Sequence, residues 1–182
     1  MQKNIPNILT LLRIALIPVL VSAFYIEARF SHYIVTGIFI FASITDYFDG
    51  FLARIWKAQS SFGRMLDPIA DKMLVISTLM MMVHKSIAPV LPALVILCRE
   101  ILVSGMREYL AELKVNISLR VSYLAKIKTA TQIVAIIILL LGEKGTGIAY
   151  ANLLGEIAIW IAAGLTVITG YAYLKESKDN FN

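Results

Sequence analysis

Asp46, Asp49, Asp67 and Asp71 are the residues of this sequence whose type and spacing point most directly to chemistry. They stand in two stretches, Thr45-Asp46-Tyr47-Phe48-Asp49-Gly50-Phe51-Leu52-Ala53-Arg54 and Gly63-Arg64-Met65-Leu66-Asp67-Pro68-Ile69-Ala70-Asp71-Lys72. Residues three or four apart share a helical face, so each pair lines one side of its own segment. The link between the segments is short, which makes them antiparallel neighbours whose four carboxylates meet. An unpaired aspartate near a membrane interior costs at least about 2.5 kcal/mol, and four together repel one another. A positive species must fill the space between them. Oxygen donors in this number favour Mg²⁺, Mn²⁺ or Ca²⁺ over softer metals. Four negative charges suit two ions better than one, although the sequence leaves the number open.

The elements that position these residues are membrane spans. Hydrophobic residues make up 59% of the 182, and charged residues 16% against about 25% for a soluble domain, so lipid is the expected solvent. The mean hydropathy is +0.78. Six runs are long enough to cross a bilayer, near 7–27, 33–56, 65–84, 87–112, 121–142 and 146–174. Backbone groups in lipid must bond internally, and solid apolar runs lack the alternation of a barrel, so the runs are read as helices. The expected fold is all-α, one membrane domain over 1–182, with six transmembrane helices and a short N-terminal interfacial helix beginning near Asn4. No cleavable signal peptide is expected.

Six spans put both termini on one side, together with fourteen of the 17 lysines and arginines; the other side receives Arg29, Lys85 and Lys144. The termini are therefore expected in the cytoplasm. Asp46 lies eight residues before Arg54, which marks the cytoplasmic edge of its helix, and so sits roughly 12 Å deeper. A polar headgroup reaches that layer while its acyl chains stay in the bilayer. Gly50 and Ala53 leave a shallow surface beside the acidic pair, or serve close helix packing. Arg54 pairs with a phosphate or anchors its helix end. Pro68 removes a backbone donor, so the third helix is kinked there or begins there with Asp67 as its N-cap.

Other polar residues say less. Cys98 stands alone, which excludes an internal disulfide and a cysteine-based zinc site, and it reads as a small buried hydrophobe. His32 and His84 lie at segment ends and suggest no shared site. Arg99, Arg107, Lys126 and Lys128 occur within or at the ends of apolar segments. Snorkelling to headgroups accounts for some such residues. Four on one cytoplasmic layer, with Arg13 nearby, read as a pocket for an anion. An alternative for Arg107 is an ion pair with Glu100, Glu108 or Glu112 on its own helix.

Taken together, Asp46-x-x-Asp49-Gly50-x-x-Ala53-Arg54-x(8)-Gly63-x-x-x-Asp67-x-x-x-Asp71 fixes eight residues over 26 positions. It resembles the signature of the CDP-alcohol phosphatidyltransferase family at every motif position. The resemblance implies a homodimer of six-helix protomers with a binuclear Mg²⁺ or Mn²⁺ site open to the cytoplasm; a chain this short without a targeting sequence is expected in a bacterial inner membrane. It implies Asp46, Asp49 and Asp67 as metal ligands, and Asp71 as both ligand and general base. Asp46, Asp49, Gly50, Ala53, Arg54 and Gly63 would contact the CDP-linked lipid, with Ser60 adding a hydroxyl.

The acceptor is indicated by three further stretches, Asn4 to Arg13, Arg99 to Glu108 and Lys126 to Gln132. They resemble the branch of the family that joins CDP-diacylglycerol to sn-glycerol 3-phosphate, the phosphatidylglycerophosphate synthases. A dianionic acceptor needs cations in a partly dry pocket, and Arg99, Arg107, Lys126, Lys128 and Arg13 are the expected ones. Inositol phosphate, phosphatidylglycerol and serine are the alternatives within the family. A rival from another class is a small cation or proton transporter. It predicts carboxylates spread through the membrane depth and inverted repeats, whereas here the aspartates lie toward one side and no repeat is visible. No nucleic-acid partner is expected.

A free aspartate is a weak base, but one positioned against a hydroxyl contributes roughly 10²–10⁴-fold. Asp71→Asn is expected to abolish CMP release while sparing much of the nucleotide binding. Lost binding with intact catalysis would remove Asp71 from the role of base.

Overall fold

A computed structural model describes residues 5–26, 28, 30–56, 61–112 and 123–179, with backbone alone for 5–9, 46–56, 61–65, 67–68, 111–112, 123–125 and 176–179. Six α-helices follow one another: α1 (Ile5–Ala23), α2 (Ser31–Trp56), α3 (Ser61–His84), α4 (Val90–Glu112), α5 (Tyr123–Thr146) and α6 (Ala151–Asp179). The described residues contain no strand. They form two compact units, Met1–Lys85 with α1 to α3 and Ser86–Asn182 with α4 to α6.

In the first unit α1 packs against both α2 and α3. The buried positions recur at helical spacing, Thr10, Arg13, Ile17 and Leu20 on α1, Val35, Phe39 and Ala42 on α2, and Ala70, Leu74, Thr78 and Met82 on α3. Three threonines of this unit bond within their own helices, while Arg13 Nε and Nη1 are buried without a hydrogen-bond partner among the described residues. Thr36 Oγ1 donates to His32 O at 2.6 Å, Thr45 Oγ1 to Ala42 O at 2.7 Å and Thr78 Oγ1 to Leu74 O at 2.8 Å. At one end, Tyr25 lies against the His84 ring with centroids 6.2 Å apart, and Lys85 Nζ sits 5.0 Å over the Tyr25 ring.

Two expectations change here. The N-terminal interfacial helix does not stand apart, because α1 continues unbroken from Ile5 to Ala23. Pro18 deprives α1 of only one ladder bond, and Ser22 Oγ closes onto the Pro18 carbonyl at 2.8 Å. Nor does α3 begin at Asp67. It starts at Ser61, which leaves Asp67 and Pro68 well inside the helix and excludes the N-cap reading.

In the second unit α6 packs against α5 and α4, and its buried stripe is Ala151, Gly155, Ile159, Ala162, Thr166, Thr169 or Gly170, and Tyr173. The α5–α6 connection is a left-handed turn rather than the simple break expected at Glu143. Gly142 takes φ 59°, Gly147 φ 67° and Tyr150 φ 68°. Side chains close it, with Tyr150 N donating to Glu143 Oε1 at 3.1 Å and Thr146 Oγ1 to Gly142 O at 2.7 Å. A Cβ on Gly142 would also meet Asn152 Oδ1 at 2.8 Å, so both its φ and its surroundings require glycine.

Among the described residues one helical stretch, Ala151–Lys175, is long and apolar enough to cross a membrane, with shorter apolar stretches at Thr10–Ala23 and Ser31–Thr45. The outward face of α6 carries Leu153, Leu154, Ile157, Trp160, Ile161, Val167 and Ile168, all exposed, while Thr166 and Thr169 are turned inward.

The tightest contact in this unit is at Gly155, where a Cβ would come within 2.7 Å of two Leu139 side-chain atoms. Leu139 is itself buried, so overpacking at Gly155 is expected to cost about 1–3 kcal/mol. Thermal unfolding in detergent should show Gly155→Val clearly destabilised. Gly164→Ala, placed where nothing lies within 4 Å, should match or exceed the parent. Equal melting of the two variants would show that the α5–α6 approach is not close-packed.

Candidate functional site

Of the four aspartates, Asp71 alone has a described side chain, and it is exposed on α3. Helix α2 runs through positions 46, 49, 50, 53 and 54, and α3 through 63 and 67, but the side chains of Asp46, Asp49, Ala53, Arg54 and Asp67, and position 50 and 63 surroundings, lie outside the described residues. Ser60 lies outside them altogether. Among the described residues no group of three or more His, Cys, Asp or Glu could hold a metal ion.

The second unit supplies a polar layer with visible geometry. Helix α4 contributes Arg99 and Glu100, α5 contributes Lys128 and Gln132, and α6 contributes Thr166 and Thr169. Lys128 Nζ makes a close ion pair with Glu100 Oε1, and Arg99 Nη1 approaches the same oxygen at 3.6 Å. Lys128 is only 5% exposed. Arg99 Nη2 donates to Thr169 Oγ1 at 3.3 Å, while the Thr169 hydroxyl donates back to Leu165 O at 2.8 Å. The aliphatic stem of Arg99 lies across Gly170, where a Cβ would sit 3.1 Å from Arg99 Cγ. A side chain at 170 would press on the Arg99 stem and displace it by a few tenths of an ångström.

Arg99 and Lys128 share one carboxylate here, in a layer that is buried at Lys128 and partly buried at Arg99 and Glu100. Isolated charges in low dielectric are costly, which is why Glu100 stays with both. The remaining hydrogen-bonding capacity is unevenly distributed. Arg99 Nε, Gln132 Oε1, Thr166 Oγ1 and Tyr173 Oη are buried without a hydrogen-bond partner among the described residues. A guanidinium N–H buried without a hydrogen-bond partner among the described residues, beside a lysine ammonium, is the chemistry of a phosphate cradle.

Within the second unit the expected anion-binding residues fall into groups. Arg99 and Lys128 come together around Glu100. Lys126 is exposed, as its position about 200° around the helix from Lys128 requires. Arg107 is exposed two turns further along α4, and Arg13 is buried in the first unit. Cys98, expected to be buried, is exposed. Sequence reasoning assigned no site role to Glu100, Gln132, Thr166 or Thr169. Two signals point to them: Gln132 follows Lys128 by one helical turn, and Thr166, Thr169 and Tyr173 recur at helical spacing within an apolar helix.

The sequence profile of the CDP-alcohol phosphatidyltransferases matches residues 3–168. A CDP-diacylglycerol–glycerol-3-phosphate 3-phosphatidyltransferase of Rickettsia felis is 50% identical over 180 residues, covering 99% of this chain and 98% of the relative. Its counterpart in Rickettsia bellii is 51% identical with the same coverage. The enzyme of that name from Escherichia coli is 40% identical over 98% of this chain and 97% of its own length.

The charge layer carries a stability prediction. Glu100→Ala removes the carboxylate that faces Lys128 and Arg99, a loss on the order of 3–5 kcal/mol. Lys128→Met instead leaves Glu100 beside Arg99 and puts an apolar chain in a buried position. Thermal unfolding should rank Glu100→Ala well below Lys128→Met. The reverse order would mean that Glu100 does not hold the layer together.

Proposed function

Because this chain belongs to the CDP-alcohol phosphatidyltransferase family, we propose that it transfers the phosphatidyl group of CDP-diacylglycerol to sn-glycerol 3-phosphate, giving phosphatidylglycerophosphate and CMP. The observation that carries this reading is similarity of 40–51% identity, over nearly the whole of both chains, to enzymes bearing that activity's name. The acceptor choice is supported by the buried Lys128 and the partly buried Arg99, which suit a phosphate dianion and would be wasted on serine.

Asp46, Asp49, Asp67 and Asp71 are a hard carboxylate donor set, which fits Mg²⁺ or Mn²⁺, with two ions per site. Bound there, the cations supply charge neutralisation at the diphosphate. Asp71 accepts the proton of the acceptor hydroxyl as its oxygen bonds to phosphorus and the bond to CMP breaks. Gly50, Ala53 and Gly63 leave room for the cytidine diphosphate, to which Arg54 and Ser60 add a cation and a hydroxyl. Arg99 and Lys128 hold the acceptor phosphate. Arg107 and Lys126, both exposed, add positive charge that draws the acceptor in, and Arg13 is the remaining cation assigned to the acceptor phosphate.

The setting is a bacterial inner membrane, spanned six times by one catalytic domain over 1–182, with both termini and the site cytoplasmic. Its support is the lysine and arginine asymmetry and the outward apolar, inward polar patterning of α6. The family resemblance favours a homodimer.

The assay is direct. Purified protein with CDP-diacylglycerol, labelled glycerol 3-phosphate and Mg²⁺ or Mn²⁺ should release CMP and label the lipid, and chelation should stop both. Release only with inositol phosphate, phosphatidylglycerol or serine would move the chain to another branch. Silence with every acceptor would reject a transferase and return the cation-transport reading.

A further inference from the structure

We propose that Gln132 and Thr166 recognise the secondary hydroxyl of the acceptor, the one that neither carries the phosphate nor attacks. This rests on the reading of Arg99 and Lys128 as the phosphate cradle. Its starting point is a contrast among buried hydroxyls. Thr36, Thr45, Thr78 and Thr169 each donate to a carbonyl of the preceding turn, the ordinary fate of a threonine inside a helix. Thr166 is fully buried, yet its hydroxyl has no partner among the described residues. Gln132 is 4% exposed, and its side-chain oxygen is likewise unpartnered. A buried polar atom left unmatched costs on the order of 1–3 kcal/mol, so two in one layer ask for a ligand.

Helix register brings the two together. Leu139 of α5 meets Gly155 of α6, and the helices are antiparallel. Counting equal steps back from Leu139 and forward from Gly155 brings Lys128 level with Thr166 and Gln132 level with Ala162. Side chains on a helix lean toward its N-terminus. Gln132 therefore leans toward the level of Lys128, and Thr166 leans toward the level of Gln132. Both polar side chains thus fall between the levels of Lys128 and Gln132, which are one helical turn of about 5 Å apart.

The donor inventory matches one particular group. The Gln132 oxygen only accepts, whereas the Thr166 hydroxyl donates as well as accepts. A hydroxyl held between them donates to Gln132 and accepts from Thr166. Glycerol 3-phosphate carries such a group on C2, adjacent to the carbon bearing the phosphate ester, and so within reach of a site whose phosphate is on Arg99 and Lys128. Gln132 and Thr166 then set specificity for the polyol, while the cations serve any phosphorylated alcohol.

The test compares glycerol 3-phosphate with propane-1,3-diol monophosphate, which keeps the phosphate and a primary hydroxyl but lacks the hydroxyl on C2. CMP release by the intact protein should favour glycerol 3-phosphate by about tenfold or more in kcat/KM. Gln132→Leu and Thr166→Val should each bring the ratio within about threefold, by loss on glycerol 3-phosphate alone. A wild-type ratio near one overturns the proposal without any variant, and so does a tenfold ratio that survives either substitution. Thr166→Val keeps the shape of the side chain and decides the matter if Gln132→Leu does not fold. Lys128→Met separates the two levels of inference, because it should raise KM for both acceptors alike. An unchanged KM for both would reject the phosphate cradle itself, whereas raised KM values with a wild-type ratio near one would reject only the role of Gln132 and Thr166.

Discussion

A buried ammonium in an apolar helix bundle needs a carboxylate within reach, and Lys128 has Glu100. Much of the second unit can be understood from that pair. It brings α5 to α4, while the neighbouring Arg99 brings α4 to α6 through Thr169. Hydrophobic burial alone would not specify these contacts, since in a lipid setting apolar faces gain little from leaving the solvent for one another. Polar pairs and close backbone approaches carry the specificity instead. The Gly155–Leu139 approach is of the second kind and sets the register in which the charged layer is read.

The first unit shows the same economy with less charge. Its buried threonines return their hydroxyls to their own helices, so they fill space as apolar residues would and leave no demand on neighbours. Against that behaviour the free hydroxyl of Thr166 stands out, since among the described residues the unmatched atoms of the first unit belong to Arg13 and His32 and not to a threonine. Polarity inside a bundle is ordinary; polarity that the bundle leaves unused is not.

How much of this was legible in the sequence differs by level. The helices were, because runs of some twenty apolar residues bounded by Glu27-Ala28-Arg29, Lys85-Ser86 and Glu143-Lys144-Gly145 leave few other arrangements, and α2 and α4 end at the residues expected. The acidic motif was legible too, because a fixed spacing of carboxylates and small residues is a one-dimensional pattern. The start of α3 was left open, because Pro68 suits a first turn as well as a position inside a helix, and only the backbone shows that Ser61 begins it. The cations proposed for the acceptor phosphate were legible as charges, but not which of those in the second unit lie together. Lys126 and Lys128 are two residues apart and look equivalent in sequence, yet helical geometry turns one outward and buries the other. Glu100 was hidden for the opposite reason, since its partner is on another helix and nothing in the local sequence points there.

Gly170 illustrates how a site is determined by residues with no functional group. The Arg99 stem crosses it, and a Cβ there would lie 3.1 Å from Arg99 Cγ. The course of the arginine stem therefore depends on a hydrogen atom on a different helix, seventy-one residues along the chain. Among natural variants, a larger residue at position 170 would be expected to come with an adjusted course of the arginine stem. A glycine that a reader of the sequence would assign to helix packing is, in that sense, part of the arginine.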